Sequence, residues 1–354
     1  MKAELGLANN LRTPPVMGVQ NFGRLPFGKQ ISKMKIPLPA SPFAKTFKAF
    51  CRLAGGMALV LVAGATGFLG RNVVQGLLDA GHKVRAIARN PSEEDKAFLR
   101  AFHCQWTEAE INDKEALKGC AEDCEAVINL VGILRESHGN TFEQVHVEGT
   151  ANLLEEAKAA KVKRFIYVSA LGTDISSKLP YWRTKAMAEE LIINSRMDYV
   201  IFRPSFMIGK RGQFTNEMTD LVRKFPVIPV PSLGKKKIQP VDVRDVAKLI
   251  VASVSLAKAR NKTFEVGGPE RINMKEFCQL IANILDKRRL VIQIPILLMR
   301  LLAPFTRLMP GPAVTQQQLT MLSKGSIADN KAVEEAFEIK LTTIGQAVKE
   351  TLTS

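Results

Sequence analysis

Residues 58–70 read Ala-Leu-Val-Leu-Val-Ala-Gly-Ala-Thr-Gly-Phe-Leu-Gly, and the order of apolar and glycine residues in this stretch decides the fold. Ala58 to Ala63 is an apolar run of strand length without polar alternation, the pattern of a parallel strand buried on both faces. After the glycines, Arg71 to Ala80 carries Val73, Val74, Leu77 and Leu78 on one helical stripe, and Gly81 suits a left-handed cap at its end. Strand, glycine loop and helix thus follow in the order a phosphate-binding turn requires. Gly64 allows the tight turn, Gly67 lets the backbone approach a pyrophosphate, and Gly70 lets the helix pack closely on the strand. The helix start then offers free N–H groups and the positive end of its dipole. A glycine triplet alone is a weak signal; between this strand and this helix it is a specific one.

The second strand, Lys83 to Ala88, ends at Arg89, with Arg85 nearby. A site for NAD(H) usually has Asp or Glu here for the ribose 2′-hydroxyl, whereas a guanidinium suits a 2′-phosphate, so the expected cofactor is NADP(H). Ala126 to Val131 is a further apolar strand running into Gly132. Thr141 to Ala160 has a long helical pattern, Arg164 to Ala170 a strand pattern, and Asp198 to Phe202 another that leads into Arg203-Pro204-Ser205. Strands alternating with helices imply parallel pairing through right-handed crossovers, a doubly wound α/β sheet of the Rossmann type. The expected domain is 57–354, with a small C-terminal α/β lobe from about 206 to 354 packed on it. Phe225 to Leu233, rich in proline, reads as a loop or lid, and Asn273 to Leu285 as a helix with Asn273 at its N-cap.

Ser169 ends one strand; Tyr181 and Lys185 follow in Tyr-Trp-Arg-Thr-Lys, four residues apart and so on one helix face. As a catalytic group, the lysine charge would lower the phenol pKa, Ser169 would bind a substrate carbonyl, and Tyr181 would pass a proton as hydride moves. The same spacing also suits a helix-surface pair. His146 is expected to pack or bond locally, and Asp242 and Asp245 to act as cap and turn groups.

The net charge is +16, and residues 1–56 carry half of it, with nine basic residues against the single Glu4. That segment reads as a transit peptide, as a basic tail on anionic lipid, or as sequence upstream of a start at Met57; each reading leaves it outside the fold. The five cysteines form no CxxC pair, which points to reduced, mostly buried thiols and to no metal site. No recognition motif accompanies the basic charge, so nucleic acid is not an expected partner. No apolar run is long enough to span a bilayer. Residues 294–309 are apolar nearly all round apart from Arg300 and Arg307. They read either as a buried hairpin or as a surface for peripheral membrane contact or a partner subunit.

Together, 64–70 (Gly-Ala-Thr-Gly-Phe-Leu-Gly), 129–134 (Asn-Leu-Val-Gly-Ile-Leu), 141–149 (Thr-Phe-Glu-Gln-Val-His-Val-Glu-Gly), 163–172 (Lys-Arg-Phe-Ile-Tyr-Val-Ser-Ala-Leu-Gly) and 181–185 form an ordered series. It continues through 202–205 (Phe-Arg-Pro-Ser), 239–247 (Gln-Pro-Val-Asp-Val-Arg-Asp-Val-Ala) and 264–270 (Phe-Glu-Val-Gly-Gly-Pro-Glu). The series resembles the nucleotide-binding accessory subunits of respiratory complex I among the atypical short-chain dehydrogenases. Since Ser169, Tyr181 and Lys185 are all kept, it is nearest to their bacterial-type relatives. The resemblance implies a structural or regulatory NADPH, complex I subunits as partners, and an energy-transducing membrane. Carried over by position, Gly64, Thr66, Gly67, Phe68, Leu69, Gly70, Arg89, Val131, Gly132, Ser169, Tyr181, Lys185 and Pro204 line the cofactor. The membrane would be the mitochondrial inner membrane, matrix side, if 1–56 is a transit peptide. If the chain starts at Met57, it would be a bacterial inner membrane approached from the cytoplasm. Rival readings are a free NADPH-dependent oxidoreductase or epimerase using the Ser-Tyr-Lys group, and a redox-sensing regulator.

Overall fold

A computed structural model describes residues 57–137, 139–232, 236–295 and 324–353, with positions 298, 320 and 321. All of these lie in one unit, Phe43–Ser354. Its centre is β1 (Leu59–Ala63), in which Val60 and Val62 join the core on one face of the sheet while Leu61 and Ala63 join the core on the other. Burial on both faces is why the strand is apolar throughout.

The strands β2 (Lys83–Ala88), β3 (Gln105–Glu108), β4 (Ala126–Asn129), β5 (Arg164–Val168) and β6 (Asp198–Pro204) build the sheet around it. Two short strands, β7 (Met207–Ile208) and β9 (Val241–Asp242), pair with each other, and β10 (Lys262–Val266) completes the main sheet. The order across the seven strands is β10-β6-β5-β4-β1-β2-β3, all parallel. This is the doubly wound Rossmann sheet expected from the sequence. The strand order reverses between β1 and β4, the point at which sheets of this kind hold ligands in a crevice outside the carboxyl ends of the strands. Helix α1 (Phe68–Asp79) lies on one face. Helices α3 (Gly149–Ala159) and α4 (Pro180–Asn194) lie on the other, and α2 (Glu93–Ala101) connects β2 to β3.

Beyond β6 come α5 (Gln213–Lys224), β8 (Val227–Ser232), α6 (Val243–Ser253), α7 (Met274–Ile284), β11 (Leu290–Pro295), α8 (Lys331–Phe337) and α9 (Ile344–Thr353). A separate core of Val222, Ile228, Val230, Phe277, Ile281, Val291 and Val348 joins α5, β8, α7, β11 and α9. Within 206–354, α6 and β10 return to the main sheet. Helix α7 has the expected cap: Asn273 accepts from the Glu276 N–H at 2.9 Å, and Glu276 accepts from the Asn273 N–H at 2.9 Å.

Two sequence expectations are corrected. The Pro-rich stretch 225–233 is not a loop over its described length: β8 pairs in parallel with β11, Val227 opposite Leu290. Pro229 and Pro231 are tolerated because, among the described residues, this sheet has two strands and β8 has no second partner, so a missing N–H on that side breaks no ladder. The helix expected over 141–160 begins instead as a π-helical segment, Glu143–Glu148, that passes into α3. Of the apolar stretch 294–309, Ile294 and Pro295 end β11 and all but one of the others lie outside the described residues. No helix among the described residues is long and apolar enough to cross a membrane.

Candidate functional site

The crevice between β1 and β4 is walled on one side by the glycine loop. Gly64 has φ +81°, a left-handed conformation that favours glycine. A Cβ there would stand 3.3 Å from Val131 Cγ2. A Cβ on Gly70 would stand 2.0 Å from the Gly64 carbonyl oxygen, so only glycine lets α1 start this close to the turn. The Gly67 N–H donates to the Gly64 carbonyl at 3.1 Å, which closes the loop. Gly67 is the N-cap of α1; no side chain caps this helix, and its first turn holds no acidic residue. Helix α2 differs, carrying Glu93, Glu94 and Asp95 in its first turn and a Ser92–Asp95 capping box. The α1 start is therefore electropositive and open to an external anion, whereas α2 meets that need internally.

The residues around the loop take distinct places. Thr66 is half-buried and its carbonyl accepts from Arg71 Nε at 3.3 Å. The Phe68 ring closes over the backbone of Gly212, where a Cβ would come within 2.9 Å of it. The Leu69 side chain is in the core, leaving its backbone to the crevice side. Arg89 is exposed at the carboxyl end of β2; its Nη1 donates to Asn140 Oδ1 at 2.8 Å and stands 3.9 Å from Glu110. Arg85 is not beside it. Its guanidinium reaches the Cys120 carbonyl at 3.1 Å and the Glu122 carbonyl at 2.6 Å, and so ties β2 to the 120–124 turn.

The far end of the crevice gathers Gly132, Ser169, Tyr181, Lys185 and Pro204. Lys185 is buried, its Nζ donating to the Val168 carbonyl at 3.0 Å and lying 4.7 Å from the Tyr167 ring centre. A Cβ on Gly132 would be 3.1 Å from that Nζ and 3.6 Å from His146 Nε2, so the β4 exit runs directly over the lysine. Ser169 Oγ is 3.2 Å from Thr173 Oγ1, and the Ser169 N–H donates to the Phe202 carbonyl at 2.7 Å. Pro204 ends β6, and its carbonyl accepts from the Leu171 N–H at 3.0 Å. The Tyr181 ring meets Phe142 and His146 edge-on, with centroids 5.8 and 5.5 Å away.

The electrostatics differ from the sequence expectation. Burial pushes the Tyr181 phenol up to about 12, and Lys185 does not hold it down. Burial also brings Lys185 down to about 7, against the opposing pull of Glu189. The two groups share a helix face, but desolvation outweighs the charge that was expected to activate the phenol. His146 bonds locally as expected. Nε2 accepts from the Ile133 N–H at 3.2 Å, and Nδ1 is 2.9 Å from Thr184 Oγ1. Burial first, and the Lys185 charge second, push it down to about 2, so it is a neutral imidazole. Sequence reading missed Glu189, buried one turn beyond Lys185 and held by Arg203 through three contacts of 2.5, 3.0 and 3.2 Å. The available signal was its i, i+4 spacing from Lys185. Asp242 caps α6 by accepting from the Arg244 N–H at 2.7 Å, and Asp245 accepts from the Thr342 N–H at 2.6 Å, both structural roles. Cys104, Cys120, Cys124 and Cys278 are free and buried.

A family model described as NAD(P)H-binding matches residues 64–255. Over 240 residues the chain is 32% identical to the mitochondrial NADH dehydrogenase [ubiquinone] 1 alpha subcomplex subunit 9 of Arabidopsis thaliana; the match spans 66% of this chain and 60% of that one. Over 253 residues it is 29% identical to the photosystem II assembly factor Ycf39 of Synechocystis, spanning 70% of this chain and 74% of that one. The NADPH-dependent quinone oxidoreductase QOR2 of Escherichia coli, solved with NADPH, superposes with a TM-score of 0.66 over 83% of this chain and all of that one. At 20% identity that likeness is one of fold.

Proposed function

Because the chain belongs to the NAD(P)H-binding family and is homologous to subunit 9 of the complex I alpha subcomplex, we propose that it holds NADPH as an accessory component of a complex I-type NADH:quinone oxidoreductase. The observation that carries this reading is the start of α1, uncapped and free of acidic side chains, locked against Gly64 by the absence of a Cβ at Gly70. Backbone N–H groups from Gly67 to Gly70 would hold the pyrophosphate, with Gly64 and Thr66 shaping the turn. Arg89 would turn to the 2′-phosphate, giving up an exposed hydrogen bond to Asn140 at 2.8 Å and an exposed 3.9 Å contact with Glu110, both weak in solvent. Val131, Gly132 and Pro204 would flank the nicotinamide end, and Ser169, Tyr181 and Lys185 would face it. Bound there, NADPH supplies a hydride. The phenol, raised to about 12 by burial, passes a proton poorly near neutrality, which favours a cofactor held in place over one turned over.

Attachment to an energy-transducing membrane follows from the same reading, since the plant relative is a mitochondrial subunit. The test is a native gel of mildly solubilised membranes containing the tagged full chain. Co-migration with a large complex stained for NADH dehydrogenase activity supports the accessory role; migration as a free monomer or dimer refutes it. The retained Ser169, Tyr181 and Lys185 favour one second reading, a free NADPH-dependent reductase or epimerase. Turnover of added carbonyl or quinone substrates by the free protein would establish it.

A further inference from the structure

Glu189 is an interior carboxylate on α4, one turn beyond Lys185, with its side chain 4% exposed. The guanidinium of Arg203, on β6, takes both of its oxygens. Arg203 Nε stands 3.0 Å from Oε1 and 3.2 Å from Oε2, and Nη2 donates to Oε2 at 2.5 Å. A planar fork satisfies a buried carboxylate in a way that the point charge of a lysine does not. Lys185 is buried as deeply, and its ammonium meets the Val168 carbonyl at 3.0 Å and the face of the Tyr167 ring. Among the described residues it forms no ion pair, although Glu189 follows it by four positions on the same helix. We propose that Arg203 is a positioning residue for the cofactor site: by holding Glu189, it keeps Lys185 out of an internal ion pair and leaves the ammonium to donate to the nucleotide. This deepens the nucleotide reading and rests on it for what Lys185 meets.

An ammonium has three donors, and the Val168 carbonyl takes one of them. The other groups facing Lys185 bring no charge to balance it. His146, on the π-helical segment, accepts from the Ile133 N–H and meets Thr184 Oγ1, so both ring nitrogens are occupied. Tyr181 on α4 and Tyr167 on β5 are phenols that burial keeps protonated. The β4 exit contributes Gly132, which has no side chain. Glu189 is thus the carboxylate that acts on Lys185 among the described residues, and Arg203 acts on Lys185 through it. Burial brings the ammonium down to about 7 against the pull of Glu189. A carboxylate released from its arginine would pull harder. The Arg203 charge is itself held from a second strand: Glu265 on β10 acts on it and accepts from the Asp329 N–H at 3.0 Å. A bridge that only tied α4 to β6 would leave the charge of Lys185 unchanged, and that difference can be measured.

The test follows the Lys185 pKa by NMR in the full chain carrying ¹³C-labelled lysine, without nucleotide, using Lys185→Met to assign the signal. Glu189→Gln leaves the Arg203 charge unopposed and should lower the pKa by about one unit. Arg203→Gln frees the Glu189 carboxylate and should raise it by about one unit. The double variant removes both charges and should stay near the parent value. Loosened packing admits water and moves a buried lysine only upward, so it cannot imitate the first result. A rise or no change in Glu189→Gln overturns the proposal, and so does an unchanged value in Arg203→Gln. Glu189→Gln keeps the side-chain volume and leaves no buried carboxylate, so it decides the matter even where Arg203→Gln fails to fold. At pH 6, where Lys185 is charged in the parent and in Arg203→Gln alike, that variant should bind NADPH about tenfold more weakly by calorimetry; equal affinity overturns the positioning role. A parent protein that binds no NADPH would refute the nucleotide reading, while the pKa shifts, which need no nucleotide, would still report the action of Arg203 on Lys185.

Discussion

Replacing Gly70 with alanine adds one methyl group at the point where α1 meets the turn after β1. Its carbon would stand 2.0 Å from the Gly64 carbonyl oxygen and 2.8 Å from the Ala65 carbonyl carbon, all backbone atoms that no rotamer change can move aside. Since carbon–oxygen contacts close at about 3.3 Å, the first turn of α1 must retreat by about 1.3 Å. Strain of this kind in a packed interior costs about 1–3 kcal/mol of stability. The same displacement pulls the Phe68 to Gly70 N–H groups from the position of a bound pyrophosphate. Misaligning one charge-assisted hydrogen bond costs about 1.5–3 kcal/mol, or about ten- to a hundredfold in NADPH affinity. The control is Gly81→Ala, whose φ of +91° strains alanine while nothing lies within 4 Å of its Cβ. That variant should lose about 1–2 kcal/mol in a urea melt and keep its NADPH affinity. Calorimetric NADPH titration and urea unfolding of both variants decide the matter. If Gly70→Ala binds NADPH as tightly as the parent, the start of α1 is not the phosphate site.

Arg89→Gln should weaken NADPH by about tenfold or more while NADH binding changes little, measured by parallel titrations; equal losses for both would remove the assignment of the 2′-phosphate to this residue. Tyr181→Phe should leave NADPH affinity and co-migration with a respiratory complex intact; loss of NADPH-consuming turnover in that variant would favour the free reductase. Burial holds Lys185 at about 7 against an ordinary value of 10.5, so between those values the unfolded chain binds one more proton. Stability should therefore rise by about 1.4 kcal/mol per unit from pH 7 to 8.5, a slope that Lys185→Met should abolish in urea melts. His146, at about 2 against 6.5, works the same way at lower pH. Stability should fall by about 1.4 kcal/mol per unit as pH drops below 6.5, and His146→Gln should flatten that fall.

The parts of this molecule legible in the sequence are those fixed by neighbours along the chain. Ala58 to Ala63 must be apolar on both faces to occupy the middle of a parallel sheet, and Gly70 must lack a Cβ to bring the helix against its own strand. Both demands fall within thirteen consecutive residues. Where pairing is distant, the local signal misleads. Pro229 and Pro231 argue against a strand until Leu290–Pro295 arrives beside them; among the described residues the other edge of β8 has no partner strand. The π-helical segment is hidden because an apolar period cannot separate i→i+4 from i→i+5 bonding over six residues. Yet that segment carries His146, which meets Gly132, Thr184 and Tyr181.

The charge state of the site follows the same rule. Spacing places Tyr181 and Lys185 on one face and suggests that the lysine activates the phenol. The outcome turns on how much water the fold removes from each, and that is set by Phe142, His146, Tyr167 and the β4 exit at Gly132. Once those groups close in, the lysine gives its proton to solvent near neutrality and the phenol keeps its own until about pH 12. The same Ser-Tyr-Lys letters can therefore belong to a catalyst or to a cofactor holder, and the protonation of Tyr181 and Lys185 with NADPH bound is what separates the two. A rise in the Lys185 pKa and a fall in that of Tyr181 on NADPH binding, followed by NMR, would favour the catalytic reading; unchanged values would favour the proposed holder.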